Sequence, residues 1–573
     1  MRALLKKLAP YKWGLCGVLL LVFLQSLADL QLPNFMANIV DRGLTTGDQA
    51  YILQNGLWML LVALLGAACT IAASFLSSRI AMRFGNRLRE EMFRKATALS
   101  MREFDRAGTA TLITRTTNDV TQIQQVIIMM LRMVAQAPMM CIGGLIMALS
   151  KDVWLTLVLL VAMPVVTFVI FFITRRAIPL FRSMQKKIDR LNLVLRESLT
   201  GVRVIRAFNR TEHDRARFDD ANRDITETAI RVNKIMAFLM PSMMLVLNFT
   251  ALAVMYFGAV RVTAGAMQLG DLMAVSQYVM QIMFALIMLS MMFVMLPRAE
   301  ASADRINETL ALQNSVVDPV TPQIAERRGE VEFRGVSYRY SGAQHPALCD
   351  VSFTARPGET VAIIGSTGAG KSTLLNLIPR FFDTTEGAVL VDGVDVREQE
   401  HGALRAKLGL TPQRALLFAG TVRENLRMAR EDATDEELWH ALSIAQADFV
   451  RTLPGGLDFE VAQGGGNLSG GQKQRLTIAR SLVRRPEIYL FDDNFSALDY
   501  RTDAALRAAL RREVADATVL IVAQRVSTVR YADRIIVLDE GRVAGIGTHD
   551  TLRRDCEVYR EILRSQWTEE ELA

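Results

Sequence analysis

Cysteine and histidine are scarce in this chain of 573 residues, with five of each. Cys16, Cys69, Cys141, Cys349 and Cys556 are too widely spaced for a CxxC clip or a zinc knuckle, which argues against a disulfide framework and a structural zinc site. His213, His345, His401, His440 and His549 form no ligand pair at helical spacing. Long apolar runs are missing after residue 300, and no small-residue cleavage pattern follows the first one, so that run does not read as a removable signal peptide. Apolar residues are plentiful: 51% of the chain is hydrophobic and 22% charged, which excludes a disordered or collagen-like protein. The mean hydropathy of +0.22 suggests that part of the chain lives in lipid.

Crossing about 30 Å of hydrocarbon takes about 20 helical residues. Six apolar runs meet that length, roughly 14–32, 56–78, 128–150, 153–174, 236–260 and 272–297. The net charge of +7 invites a nucleic-acid reading, but its location answers to topology instead. Residues 79–127 carry Arg79, Arg83, Arg87, Arg89, Arg94, Lys95, Arg102, Arg106 and Arg115, and 175–235 carry a longer basic series. The loops at 33–55, 151–152 and 261–271 hold one Arg or Lys each. The positive-inside bias therefore places the N-terminus and both long loops in the cytoplasm, and no nucleic-acid partner is expected. Those loops read as helical extensions of the spans, each broken at a glycine, in Phe104–Val120 and in Glu197–Phe208.

After Pro297 an amphipathic helix gives way to a proline-bearing stretch without apolar period, followed by β-rich runs alternating with helices. The expected organisation is a membrane domain over 1–315, a linker over 316–330 and an α/β domain over 331–573. Within the last, the strand TVAIIG runs into GSTGAGKST and then a helical segment, the P-loop pattern in its proper context. Gly365, Gly368 and Gly370 let backbone N–H groups close around phosphate oxygens, Lys371 reaches the β and γ phosphates, and Ser372 ligates Mg²⁺. A second apolar strand, EIYLFDD, ends in Asp492, the acidic partner in the Mg²⁺ shell, and Asp493. Upstream, NLSGGQKQR opens another helix with a serine and two glycines, a second anion-binding terminus that one nucleotide in this domain cannot also use.

GSTGAGKST, LSGGQ, FDDNFSALD and six apolar spans together resemble an ATP-binding cassette (ABC) transporter half of the exporter type, over essentially the whole chain. The resemblance implies an α-helical six-span transmembrane domain followed by an α/β P-loop NTPase domain, using ATP and Mg²⁺. It implies that Tyr340 stacks on adenine and that Ser366, Thr367, Ala369 and Thr373 join the P-loop residues in holding the nucleotide. Gln413 would link Mg²⁺ and the attacking water to the membrane domain. Leu468, Ser469, Gly470, Gly471 and Gln472 would complete the site of the opposite chain, and Asp499 would cross the interface. The breaks near Gly108 and Phe208 become coupling helices.

Two positions depart from the family pattern. Asp493 stands where the family has a glutamate that polarises water; a carboxylate shortened by one methylene lies about an ångström back, and such misplacement can cost about 10²-fold in rate. Gln524, in IVAQRVSTV, stands where the family has a histidine; an amide bonds a phosphate but carries no proton. Every binding element remains and both hydrolytic ones are altered. This resembles the degenerate-site subunit of heterodimeric exporters, with a second half-transporter carrying Glu and His as partner. Alternatives are a homodimeric lipid or peptide exporter, a siderophore-type importer with an exporter fold, or a non-transporting ATP-gated regulator. The expected location is the inner membrane, with both termini and the cassette cytoplasmic.

In the sixth span Gln277, Gln281, Phe284 and Met288 share one face, among Met273, Met280, Met283, Met291, Met292 and Met295. A plastic cavity wall for small amphipathic substrates and plain helix packing both fit that pattern. Arg132, in the third span, is costly against lipid and is expected at the cytoplasmic edge; Asp29 and Asn248 carry the same ambiguity.

Overall fold

The computed structural model describes residues 2–325, 329–496 and 498–567, apart from the side chains of 2, 3, 290–294 and 297. The chain divides into two compact units, one of residues 1–98 and 107–312, the other of Leu99–Arg106 with Gln313–Ala573. The first unit is helical and, among the described residues, carries six helices long and apolar enough to cross a membrane: Leu4–Leu44, Gln49–Thr97, Thr109–Lys151, Val153–Thr200, Thr211–Thr263 and one beginning at Leu269. Each contains one of the expected apolar runs, extended well past the hydrocarbon length.

Local chemistry sets where these helices start and break. Asp48 caps Gln49–Thr97 by accepting from Tyr51 N, and Asp152 caps Val153–Thr200 by accepting from Leu155 N. Buried Asp152 also takes a charge-assisted bond of 2.6 Å from Arg261 Nε, which ties the fourth helix to the end of the fifth. Gly108, at φ 75°, sits between the short helix Met101–Ala107 and Thr109–Thr114, the break its sequence suggested. The second break is Gly201, with Val202–Ala207 beyond it. Three π-helical turns, at Ile39–Leu44, Arg115–Asp119 and Met130–Val134, interrupt the first and third spans and had no sequence signal. Farther along, Asp119 is buried against Ser302 Oγ at 2.9 Å and Arg305 Nε at 2.8 Å, joining the extensions of the third and sixth helices.

The second unit contains two larger sheets. An antiparallel one runs Leu348–Ala355, Val331–Tyr338, Glu386–Val391, Val394–Asp395 in spatial order. The other runs Arg542–Gly547, Arg534–Asp539, Thr360–Gly365, Thr518–Val522, Ile488–Asp492, Leu408–Thr411; all its pairs are parallel except the first. Its central strands Thr360–Gly365, Thr518–Val522 and Ile488–Asp492 are buried and largely apolar because both faces are covered, whereas the edge strand Arg542–Gly547 is partly exposed. Ala362, Ile364, Tyr489, Phe491, Val519 and Ile521 pack into one core, together with the helix Gly470–Arg484. Their strand neighbours Val361, Ile363, Ile488, Leu490, Leu520 and Val522 pack into a second core with Leu374 and Leu377. The period of two divides each strand between the cores. Leu520 lies fully buried on a central strand. Leu520→Ala is expected to destabilise this unit by about 2–5 kcal/mol in chemical denaturation.

Candidate functional site

The parallel arrangement delivers four strand ends to one edge of the sheet, where ligands bind in open α/β folds. Thr360–Gly365 leads into the P-loop, Thr518–Val522 into Gln524, Ile488–Asp492 into Asp493, and Leu408–Thr411 into Gln413, and these strands are adjacent in that order. Residues more than 150 positions apart in sequence are thereby brought to one place.

The loop geometry explains two of its glycines. A Cβ on Gly365 would stand 2.1 Å from Leu538 O, and Gly370, at φ 96°, would place one 2.5 Å from Ala347 O. Ser366, Thr367 and Gly368 are exposed at the rim while Ala369 packs inward. Lys371 is buried, its ammonium donating to Gly365 O at 2.8 Å and Ser366 O at 2.7 Å. Burial pushes the Lys371 ammonium below its usual range, against the pull of Asp493 and Asp492. Ser372 Oγ donates to Asp492 Oδ1 at 2.9 Å. A hydroxyl and a carboxylate side by side are the hard oxygen donors that Mg²⁺ prefers, so these residues fit that ion. Tyr340, exposed at its ring, shares a 3.0 Å hydrogen bond between its hydroxyl and Thr373 Oγ1 and packs edge-on against Tyr338.

Asp493 is the centre of the second cluster. It is buried, its backbone lies at φ 51°, and its N–H donates to Val522 O at 2.9 Å. Asp tolerates that left-handed conformation better than most residues. Gln524 Nε2 donates to Asp493 Oδ2 at 2.8 Å, and Gln413 Nε2 approaches the same oxygen at 3.5 Å, the outer limit of a hydrogen bond. Burial raises the Asp493 carboxyl above its ordinary range, opposed by the Gln413 amide and by the Lys371 charge. Burial raises Asp492 as well, although Ser372 bonds it. Three of the five histidines are engaged elsewhere: His401 with Asp318, His440 with Glu513, and His549 with the Tyr559 hydroxyl.

The remaining expected residues stand apart from this pair. Ser469 and Gln472 close a capping box on the helix Gly470–Arg484, and Gly470 faces open space; Leu468 is buried. Asp499 caps Tyr500–Glu513 through Thr502 N at 2.9 Å, and that backbone bond holds its carboxyl below the usual range. In the membrane unit Gln277, Phe284 and Met288 are exposed, whereas Gln281 donates to Asp29 O at 3.1 Å and leaves its Oε1 buried without a partner. Tyr278, fully buried one turn before Gln281, donates to Leu30 O, so both side chains reach the first helix. Met283 is also buried, so that methionine serves packing, while the side chains of Met291 and Met292 lie outside the described residues. Arg132 sits in the third-span π-turn and donates to Ser74 Oγ at 3.2 Å, which gives it a polar partner across helices.

Three positioning residues were not singled out from the sequence, although Gln474 lies within NLSGGQKQR and Asn494 within FDDNFSALD. Gln566, in the C-terminal helix Glu557–Gln566, donates to Gln524 O at 2.7 Å and accepts from Val526 N at 2.8 Å, clamping the segment that carries Gln524. Buried Asn494 donates to Pro412 O at 2.8 Å, and Gln474 donates to Gln413 O at 3.2 Å, so both brace the Gln413 loop. Asn494 directly follows the aspartate pair, which is the one hint its position offers.

A phosphate loop and acidic strand end on this sheet edge, in one polypeptide with six membrane helices, define a nucleotide-driven membrane transporter. Residues 15–286 match the ABC transporter transmembrane region and residues 348–496 match the ABC transporter family. The chain belongs to the ABC transporters, as a multi-pass membrane protein of the exporter type. It is 45% identical over 571 residues to an uncharacterized ABC transporter ATP-binding protein of Mycobacterium tuberculosis, covering 98% of each chain. It is 30% identical over 581 residues to the ATP-dependent lipid A-core flippase of Chromobacterium violaceum, covering 99% of this chain and 98% of that one. A solved bacterial Atm1-family ABC exporter with ATP bound superimposes with a TM-score of 0.83 at 28% identity, covering 98% of this chain and all of that one. The six-span domain followed by a cassette is therefore the fold that the motifs implied.

The raised Asp493 carboxyl gives a stability test. Its native pKa lies above the unfolded value, so its ionisation penalises the fold above the native pKa, and the penalty disappears as pH falls to the ordinary 3.8. Asp493→Asn keeps an oxygen to accept both amides and removes the charge. Without nucleotide, its thermal midpoint should exceed wild type at neutral pH, and the gain should fade on acidification. That pH dependence separates the charge from the preference of Asn for left-handed backbone.

Proposed function

We propose that this chain is one half of a heterodimeric ATP-driven exporter of amphipathic or hydrophobic compounds, set in the inner membrane with its cassette cytoplasmic. Its own site binds ATP and hydrolyses it poorly, and its Ser469, Gly470 and Gly471 complete the site of a partner half-transporter. The observation that carries this reading is the environment of Asp493: its Oδ2 faces the amides of Gln524 and Gln413, and no imidazole stands at position 524.

The division of labour follows from these groups. Lys371 and the P-loop N–H groups bind the phosphates, Tyr340 supplies a ring for the base, and Ser372 with Asp492, helped by Gln413, would hold Mg²⁺. When bound, Mg²⁺ supplies charge that offsets the phosphate oxygens. General-base catalysis needs a carboxylate reaching the attacking water. Asp493 is a methylene short and already accepts from neutral donors, so it makes a weak base. Nucleotide binding by both halves and hydrolysis at one would bias the spans between inward-facing and outward-facing states. Gln277, Gln281, Phe284 and Met288 are the proposed substrate wall. The leading alternative is a homodimeric lipid exporter, favoured by the similarity to a lipid A-core flippase over nearly the full length.

Purified alone, the chain should turn ATP over slowly, and addition of a half-transporter carrying Glu and His should restore turnover; robust turnover by the chain alone supports the homodimer instead. Asp493→Glu combined with Gln524→His should raise hydrolysis by about 10²-fold in the chain's own site. In the wild-type background, Lys371→Ala should weaken fluorescent ATP-analogue binding by about 10- to 100-fold, the loss expected for charge-assisted phosphate bonds.

A further inference from the structure

Where the fourth membrane helix leaves its apolar run, the membrane unit has a cleft of about 650 Å³. Phe168, Phe171, Phe172, Arg175, Arg176 and, from the fifth helix, Ile235 line it. All three phenyl rings are exposed. Phe168 and Phe172, one turn apart, stack at 6.2 Å, and the Arg176 guanidinium lies 4.7 Å from the centre of the Phe172 ring. Pro179, also in the wall, supplies no N–H to the carbonyl of Arg175 four residues back, which relaxes the helix at this level.

Depth and charge select the occupant. At 1.5 Å per residue the uncharged run 153–174 is about 33 Å long, the thickness of a hydrocarbon core. The arginine pair therefore emerges at the level of lipid phosphates, on the side of the long helical extensions, and the phenyl rings lie at the depth of the first acyl carbons. Among the described residues no carboxylate lines the cleft, so its two guanidinium groups leave a net positive charge that favours a headgroup of net negative charge. Guanidinium groups match phosphate oxygens in a bidentate fork. We propose that this cleft binds an anionic phospholipid of the adjacent leaflet, with its phosphate on Arg175 and Arg176 and an acyl chain along Phe168, Phe171 and Phe172. The site is independent of the catalytic asymmetry proposed above and requires that the helices span a bilayer with this cleft on the lipid-facing side of the assembled transporter.

The test uses the full chain in phosphatidylcholine vesicles containing trace spin-labelled phosphatidylglycerol or spin-labelled phosphatidylcholine, with the immobilised fraction read by electron paramagnetic resonance. Wild type should retain the phosphatidylglycerol label preferentially, and Arg175→Gln with Arg176→Gln should reduce that preference by about tenfold. Phe168→Ala with Phe171→Ala should weaken retention of the phosphatidylglycerol label while leaving the arginines in place. Equal retention of the two labels by wild type, which needs no variant to fold, would overturn the proposal, as would an unchanged preference in the arginine double variant. Displacement of the label by millimolar glycerol phosphate would also overturn it, because the site would then take a soluble phosphate.

Discussion

The central parallel strands of the cassette are buried on both faces, and the placement of the P-loop, Gln524, the aspartate pair and Gln413 depends on that constraint. Strands whose alternate residues enter two separate cores have no room for polar side chains along their length. Polar chemistry is confined to the strand ends, and parallel pairing puts those ends on one edge. The P-loop, Gln524, the aspartate pair and Gln413 follow adjacent strands in that order. Shifting any one strand by a residue would exchange its two cores and misplace the group at its end.

At that edge the balance of charges is decided by burial. Lys371, Asp492 and Asp493 are one cation and two anions removed from most solvent. Desolvation moves the lysine down and both aspartates up, and it outweighs their mutual attraction. The partners nearest Asp493 are neutral amides, which orient its carboxylate without neutralising it. An imidazole at position 524 would have added a titratable donor to this cluster; glutamine adds a fixed one. The proposed asymmetry between binding and hydrolysis rests on this difference in proton chemistry.

The membrane unit meets the opposite solvent with the same rule, that buried polar groups find partners. Asp152 takes Arg261 and its own helix start, Arg132 takes Ser74, Tyr278 takes Leu30 O, and Asp119 takes Ser302 and Arg305. Close approach of helices is permitted by small residues: a Cβ on Gly144 would meet Ile282 at 2.8 Å and one on Gly258 would meet Leu272 at 2.2 Å. Among the described residues of this unit Asn34, Arg115 and Gln281 each leave a buried polar atom without a partner, and Gln281 shares its face with exposed Phe284 and Met288, which keeps the sixth helix of interest as a substrate wall.

The sequence alone determined the six spans and the switch to an α/β cassette, and it singled out the candidate phosphate loop, acidic strand end and signature run. Each is a local pattern whose meaning depends on spacing: about 20 apolar residues for a span, glycines at fixed offsets for a phosphate loop. The substitutions at Asp493 and Gln524 were equally legible, since each falls inside such a pattern. Only the tertiary structure decided that these two side chains bond each other, that Gln566 holds the Gln524 segment from the C-terminal helix, and that Asn494 and Gln474 brace Gln413. It also decided that Leu99–Arg106 groups with the cassette unit, where Ser100 N bonds Asn314 and Arg102 bonds Ser341. The physical reason is the same in every case: glutamine, asparagine and serine carry no period or spacing that announces a partner, and their bonds exist only once distant strands and helices have packed.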